Sequence, residues 1–285
     1  MNKLPFILLF FLFPYSAYAG KVAPNVVIVL NESARADSFG CYGSENKTPV
    51  LDAIAAKGVY FRFVWSSMDS KTSEQMLRSG HYPFRTEVKT DSFKSLGYHS
   101  STIEQAIKGE AKPPFLAIHI LKGSSVKALD NFVEPLAKLK DTLLIISSLT
   151  GSGESNSAVS VPMVISGPPV LNPGRECWDL INITDFSPTL AEIVGRDIDR
   201  KHDGKSFLPS LQDSDDPFQK RNWIYTQSGG SWMIRDWENV LYSDGNFTRI
   251  SEDNLSTEKV KKTDKIAPHR KERLEMLVNR LRDKS

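Results

Sequence analysis

Two stretches of this chain put chemically useful side chains where a fold can exploit them. Val26 to Leu30 is an unbroken apolar run closed by Asn31, and the acidic Glu32 follows directly. Such a run reads as a strand buried on both faces, with Glu32 at the point where the strand emerges. Ligands of open α/β sheets bind beyond the carboxyl ends of the strands, so an acid there is a site candidate; the structural alternative is a capping or turn carboxylate. The second stretch is Ser66-Ser67-Met68-Asp69-Ser70-Lys71-Thr72-Ser73-Glu74, which follows a strand-like Val59 to Trp65 and leads into a helix through Met76 and Leu77. The free amides at a helix start favour anions, and Lys71 beside Ser70 adds a cation; the alternative is a lysine solvated at a helix start. His119 lies inside an apolar run and reads as a satisfied core histidine. His81, His99, His202 and His269 have no partner spacing and read as surface or turn residues.

The elements that must carry these residues alternate in type. Thr48-Pro49 opens a helix with Leu51, Ile54 and Ala55 on one side, closed by Gly58. Gly97 to Ile103 is a modest strand, Phe115 to Ile120 a stronger one, and Val126 to Leu139 carries the apolar spacing of an amphipathic helix. Thr142 to Ile146 is a further apolar strand running into the small, polar loop Ser147 to Ser155. Val161 to Ile165 is another strand, with Pro162 tolerable near its start or at an edge. Thr184-Asp185 is expected to cap a helix through Leu190, Ile193 and Val194, ending at Gly195. This alternation describes an α/β fold: a doubly wound, mostly parallel sheet sandwiched by helices over residues 20–211. An acidic linker is expected at 212–219. Residues 220–285 then read as a small C-terminal subdomain of short antiparallel strands and a charged helix over Arg270 to Arg282.

Residues 1–19 read as a secretory signal peptide, with Lys3 in the positive segment, Phe6 to Phe13 as the apolar core and Ala17-Tyr18-Ala19 as the cleavage site. The apolar run is shorter than a membrane span and Pro14 interrupts it, so an exported chain, periplasmic or secreted, with no transmembrane span after cleavage is expected. With 36 basic and 34 acidic residues among 285, charge argues for neither nucleic acid nor an anionic membrane. Cys41 and Cys177 are too few for a disulfide scaffold and are not spaced as a zinc site; they are either a pair or two buried free thiols.

Pro24-Asn25-Val26-Val27-Ile28 through Gly40-Cys41-Tyr42-Gly43, followed by Thr48-Pro49-Val50-Leu51-Asp52 and Gly58-Val59-Tyr60-Phe61, resembles the opening of sulfatases and their relatives in the alkaline phosphatase superfamily. Glu32-Ser33-Ala34-Arg35-Ala36-Asp37 is most similar to the phosphoethanolamine transferase and lipoteichoic acid synthase branch. Ser79 to Pro83, Val161 to Val164, Thr184 to Leu190 and Asp203 to Pro209 resemble later family segments in the same order. The resemblance implies a divalent metal ion (Zn, Ca, Mg or Mn) that binds the substrate oxyanion and activates a nucleophile. It makes Glu32 a metal ligand, puts Ser70 at the nucleophile position, leaves Lys71 beside the anion and makes Glu154 a further candidate ligand.

Several family positions depart from the pattern. Ser70-Lys71-Thr72-Ser73-Glu74 lacks the Cys, Pro and Arg that sulfatases use to make formylglycine. Where relatives carry Asp-His or Asp-Asn, this chain offers Leu149-Thr150 or Gly151-Ser152, depending on register. Two or three scattered oxygen groups do not make a tight divalent site. The sequence therefore leads to an exported sulfatase-like protein with a largely lost metal centre, serving as a binding or accessory protein for a sulfated or phosphorylated glycan or lipid head group. The alternative is an active metal-dependent sulfate- or phosphate-ester hydrolase or transferase with Ser70 as nucleophile. No nucleotide loop or serine-hydrolase elbow is present.

Overall fold

A computed structural model describes residues 23–85, 91–151, 159–196, 202–251, 256–261 and 263–283. The expected signal peptide at 1–19 and the candidate ligand Glu154 lie outside the described residues. Among those residues, no helix is long and apolar enough to cross a membrane.

The apolar run after Pro24 forms β1 (Asn25–Asn31), and Val26 to Leu30 are fully buried. It sits inside a seven-stranded sheet of order β3-β4-β1-β5-β6-β2-β7. The strands are β2 (Gly58–Trp65), β3 (His99–Ser100), β4 (Phe115–Leu121), β5 (Thr142–Ser148), β6 (Ser160–Ser166) and β7 (Arg175–Asn182). β1 runs parallel to β4 and β5, and β2 parallel to β7, while β6 is antiparallel to both its neighbours. Because side chains alternate across a strand, Val27 and Val29 face α1 (Pro49–Ala56), α3 (Ile103–Lys108) and α4 (Val126–Val133). Val26, Ile28 and Leu30 face the layer built by α2 (Ser70–Ser79), α5 (Phe186–Ile193), α6 (Leu208–Leu211) and α7 (Ala267–Arg282). These are the two helical layers of a doubly wound fold.

Pro162 is accommodated near the start of β6, beside the irregularity where β2 shifts register between Phe61 and Val64. Its carbonyl accepts a hydrogen bond from Ser147 Oγ at 2.7 Å. A second, antiparallel five-stranded sheet of order β12-β11-β10-β9-β8 follows. It comprises β8 (Ile224–Ser228), β9 (Ser231–Arg235), β10 (Asn239–Tyr242), β11 (Phe247–Ile250) and β12 (Thr257–Lys259).

Four local expectations are corrected. The strand expected over Gly97 to Ile103 is two residues long, because Thr102 leaves it to form a reciprocal capping box with Gln105 at the start of α3. The helix expected to reach Leu139 ends at Val133, and a separate short turn covers Leu136–Lys138 after Pro135, whose ring cannot continue the helical hydrogen bonds. β7 adds a strand that sequence reading passes over, since Arg175-Glu176-Cys177-Trp178-Asp179 has no apolar run to announce it. Asp185 is the residue at the cap position of α5, as expected, but its side chain makes no cap bond there; instead a short turn Ile183–Asp185 precedes α5, capped by Asn182, whose side chain accepts from the Thr184 amide while the Asp185 carboxylate reaches back to the Asn182 amide.

Candidate functional site

Glu32 emerges at the carboxyl edge of the large sheet, as its position after β1 requires. Its amide donates to the Leu121 carbonyl at 3.0 Å, continuing the ladder with β4. Its Oε2 accepts from the Gly123 amide at 3.3 Å. The preceding Asn31 is buried, donates from Nδ2 to the Ser124 carbonyl at 3.0 Å and accepts at Oδ1 from the Ser33 amide at 3.0 Å. The backbone around Glu32 is thus fixed from two sides, and its carboxylate leans towards the loop after β4.

The chain leaving β5 settles which residues face Glu32. The Leu149 amide donates to the Asn31 carbonyl at 2.9 Å, and the Thr150 amide to the Glu32 carbonyl at 3.2 Å. Thr150 Oγ1 donates to the same Glu32 oxygen at 2.9 Å. Of the two registers that the sequence leaves open, Leu149-Thr150 lies next to Glu32, while Ser152 of the other lies outside the described residues. Leu149 is only 2% exposed and packs into the main hydrophobic cluster. Ser148, paired in register with Asn31, is fully buried, and its hydroxyl has no hydrogen-bond partner among the described residues.

The hydroxyl-rich stretch after β2 is held by the second sheet. The Ser66 amide donates to the Val159 carbonyl at 2.8 Å, and Ser67 Oγ to the Gln227 carbonyl at 2.7 Å. Thr226 Oγ1 donates to the Ser66 carbonyl. Asp69 caps α2, with Oδ1 accepting from the Thr72 amide at 2.7 Å and Oδ2 from Ser228 Oγ at 3.1 Å. Burial pushes the Asp69 carboxyl up, but hydrogen bonds from Thr72 and Ser228 outweigh it and hold the group below the usual carboxylate range. Ser70 is the first residue of α2 and half-buried, and Lys71 beside it is exposed. The positive end of this helix therefore already carries a carboxylate, that of Asp69. The capping role of Asp69 escaped sequence reading, although an acid three residues before Thr72 is the signal for it.

The divalent ion implied by the family resemblance needs several oxygen or imidazole donors converging on one point. Beside Glu32 stand a buried leucine side chain and a threonine whose hydroxyl is committed to the backbone. No group of three or more His, Cys, Asp or Glu side chains suited to holding a metal occurs among the described residues. Among the described residues, the donors beside Glu32 do not by themselves make the set such an ion needs.

Charged groups converge instead where three family-like segments meet. Asp203 and Gly204 donate their amides to the Gly80 carbonyl at 3.1 Å each. The Asp203 carboxylate accepts from the Tyr82 amide at 2.9 Å and pairs with Arg85 at 2.7 Å. His81, expected at the surface, is buried with Nδ1 at 3.6 Å from Asp203. Asp185 accepts from the Asn182 amide at 2.8 Å, the Lys205 amide at 2.7 Å and Arg221 Nε at 3.0 Å. A side chain at Gly204 would meet the Thr184 carbonyl at 2.2 Å, so only glycine allows this approach. Asp185 and Asp203 are therefore braces between segments. His119, expected in the core, is half-buried and stacks on Phe132 with ring centroids 4.7 Å apart.

Residues 24–110 match the family model described as Sulfatase. An ulvan-active sulfatase from Formosa agariphila is 24% identical over 341 residues, covering 82% of this chain and 68% of that relative. A putative sulfatase from Bacteroides thetaiotaomicron superimposes with a TM-score of 0.78 at 14% identity, covering 92% of this chain and 93% of the other. A protein solved in complex with its substrate D-glucosamine-2-N,6-O-disulfate superimposes with a TM-score of 0.70 at 12% identity, covering 92% and 98%. At such identities the two structures speak for the fold.

Proposed function

We propose that this chain, which is similar to the Sulfatase family model over residues 24–110 and shares the sulfatase fold, is an exported glycan-binding or accessory protein whose metal centre has been lost. The observation that carries this reading is the pair Leu149-Thr150 beside Glu32: an apolar side chain turned into the core and a hydroxyl bonded to the Glu32 carbonyl stand where metal ligands are expected. Of the expected constellation, Glu32 and Ser70 are among the described residues and are not brought together with further ligands there, and Asp69 already neutralises the start of the helix that bears Ser70. Export rests on the pattern of residues 1–19. A sulfated glycan as ligand rests on the relatives, one named for its activity on ulvan and another bound to a disulfated glucosamine.

The test is metal analysis of the purified protein together with turnover of 4-nitrophenyl sulfate and 4-nitrophenyl phosphate, with Ser70→Ala as control. The expected result is no stoichiometric Zn, Ca, Mg or Mn and no Ser70-dependent turnover. Stoichiometric metal with turnover that Ser70→Ala abolishes would overturn the reading in favour of an ester hydrolase or transferase.

A further inference from the structure

Large apolar side chains left in water are informative when they cluster and have a polar rim. Trp178 on β7 is 54% exposed, and Trp237, in the turn between β9 and β10, is 42% exposed. Both pack edge-on against the same buried ring, Phe63 of β2, with centroids 5.6 Å and 5.7 Å away and interplanar angles of 68° and 77°. The two indoles, far apart in the chain, are thereby held at fixed orientation on one aromatic support. Beside them the Arg62 guanidinium lies 5.8 Å from the Trp178 ring, 5.7 Å from Tyr60 and 5.5 Å from Tyr42, and pairs with Glu176. A cavity of about 380 Å³ bordered by Tyr60, Asp52 and Gly174 adjoins this group.

This surface lies at the β2–β7 edge of the large sheet. The chemistry offered is flat, apolar ring faces next to a paired cation and acid. Pyranose rings match it: their axial C–H faces cover an aromatic plane, and their equatorial hydroxyls reach Arg62 and Glu176 at the rim. Charge complementarity selects among glycans as well. Arg62 is matched by Glu176, and Glu238 next to Trp237 is matched by Arg270, so the surface recognises sugar rings and not the sulfate groups they carry.

We propose that Trp178 and Trp237 form a glycan-binding platform that holds a polysaccharide chain by stacking on its pyranose rings. The assignment deepens the glycan-binding reading above and names the residues that would hold the chain. It does not depend on whether Ser70 is active.

The test uses the full mature protein in affinity electrophoresis and tryptophan-fluorescence titration against ulvan, carrageenan, their desulfated forms and a neutral β-glucan. The expected result is binding to at least one native polysaccharide, kept by its desulfated form and in 0.5 M salt. Trp178→Ala should weaken it by about tenfold, Trp237→Ala by a similar factor, and Trp178→Phe much less. Both indoles are exposed, and unchanged melting temperatures of the variants would show intact folding. If the wild type binds none of the probes, the glycan reading itself fails. Binding that Trp178→Ala and Trp237→Ala leave unchanged, or that desulfation abolishes, overturns the platform alone. A dimer that Trp178→Ala dissociates would assign the surface to protein contact and overturn the platform too.

Discussion

Thr150 Oγ1 donates to the main-chain oxygen of Glu32 at 2.9 Å, latching the loop after β5 to the end of β1. Next to it, Leu149 contributes its whole side chain to the core. Leu149→Ala is expected to lower unfolding stability by about 2–5 kcal/mol through lost burial and a residual cavity. Thr150→Val should cost about 1 kcal/mol, the net worth of one hydrogen bond. Urea denaturation of both variants measures the difference, and equal losses would contradict the assignment of Leu149 to the core.

The same pair predicts the response to metal. With no converging donors beside Glu32 among the described residues, millimolar Ca, Mg, Mn or Zn should leave the melting temperature of the purified protein unchanged, because only a ligand that binds the native state stabilises it. A rise that saturates with metal and disappears in Glu32→Gln would contradict the absence of a site there.

Asp185 and Arg221 form a buried ion pair, the guanidinium contacting both carboxylate oxygens. Breaking a buried pair from one side leaves an unmatched charge, so Arg221→Ala should cost about 3–5 kcal/mol. Arg221→Met combined with Asp185→Asn should cost less than the sum of the single variants. A double-mutant cycle by urea denaturation checks the coupling.

Asp203 gives the fold an acid-sensitive brace. Burial pushes its carboxyl up, but the contacts from His81, Arg85 and the Tyr82 amide outweigh burial and hold it below the usual carboxylate range. A group depressed in the folded state stabilises at pH above its unfolded value, about 3.9, and loses that contribution as pH falls through the folded value. The urea midpoint of the wild type should therefore drop on acidification below about pH 4. That of Asp203→Asn should start lower and drop less, so that the two converge; a constant gap across that range would refute the linkage.

Cys41 and Cys177 are both free, so the pairing that the sequence leaves open is not formed. Burial pushes the Cys41 thiol up to about 12 and the Cys177 thiol up to about 11. Iodoacetamide at pH 8 should label both slowly in the native protein and rapidly in guanidinium, as read by intact mass. Fast native labelling of Cys177 would place its thiol outside the core.

Much of the fold was legible because burial on both faces leaves a signature in sequence. β1, β4 and β5 stand out as apolar runs, and the helices between them carry Pro49, Gly80 and Ser125 at their ends. β7 was not legible, since an edge strand with Trp178 exposed on one side and Cys177 buried on the other mimics a loop. Glu32 and Ser70 were singled out by position and resemblance, and their placement at the end of β1 and the start of α2 was legible. The Ser228 bond to Asp69 and the placement of Leu149 depend on partners up to 159 residues away in the chain.

By itself the sequence determined the layered α/β architecture, the order of its family-like segments and the departures at the expected ligand positions, because these follow from local periodicity and residue type. Only the tertiary structure decided that Thr150 is bonded to Glu32 with Leu149 buried next to it, that Asp185 and Asp203 brace neighbouring segments, and that Trp178 and Trp237 share Phe63 as a support. The physical reason is that register, ion pairing and ring packing are set between strands that meet across the sheets, and no single stretch of chain contains both halves of such a contact.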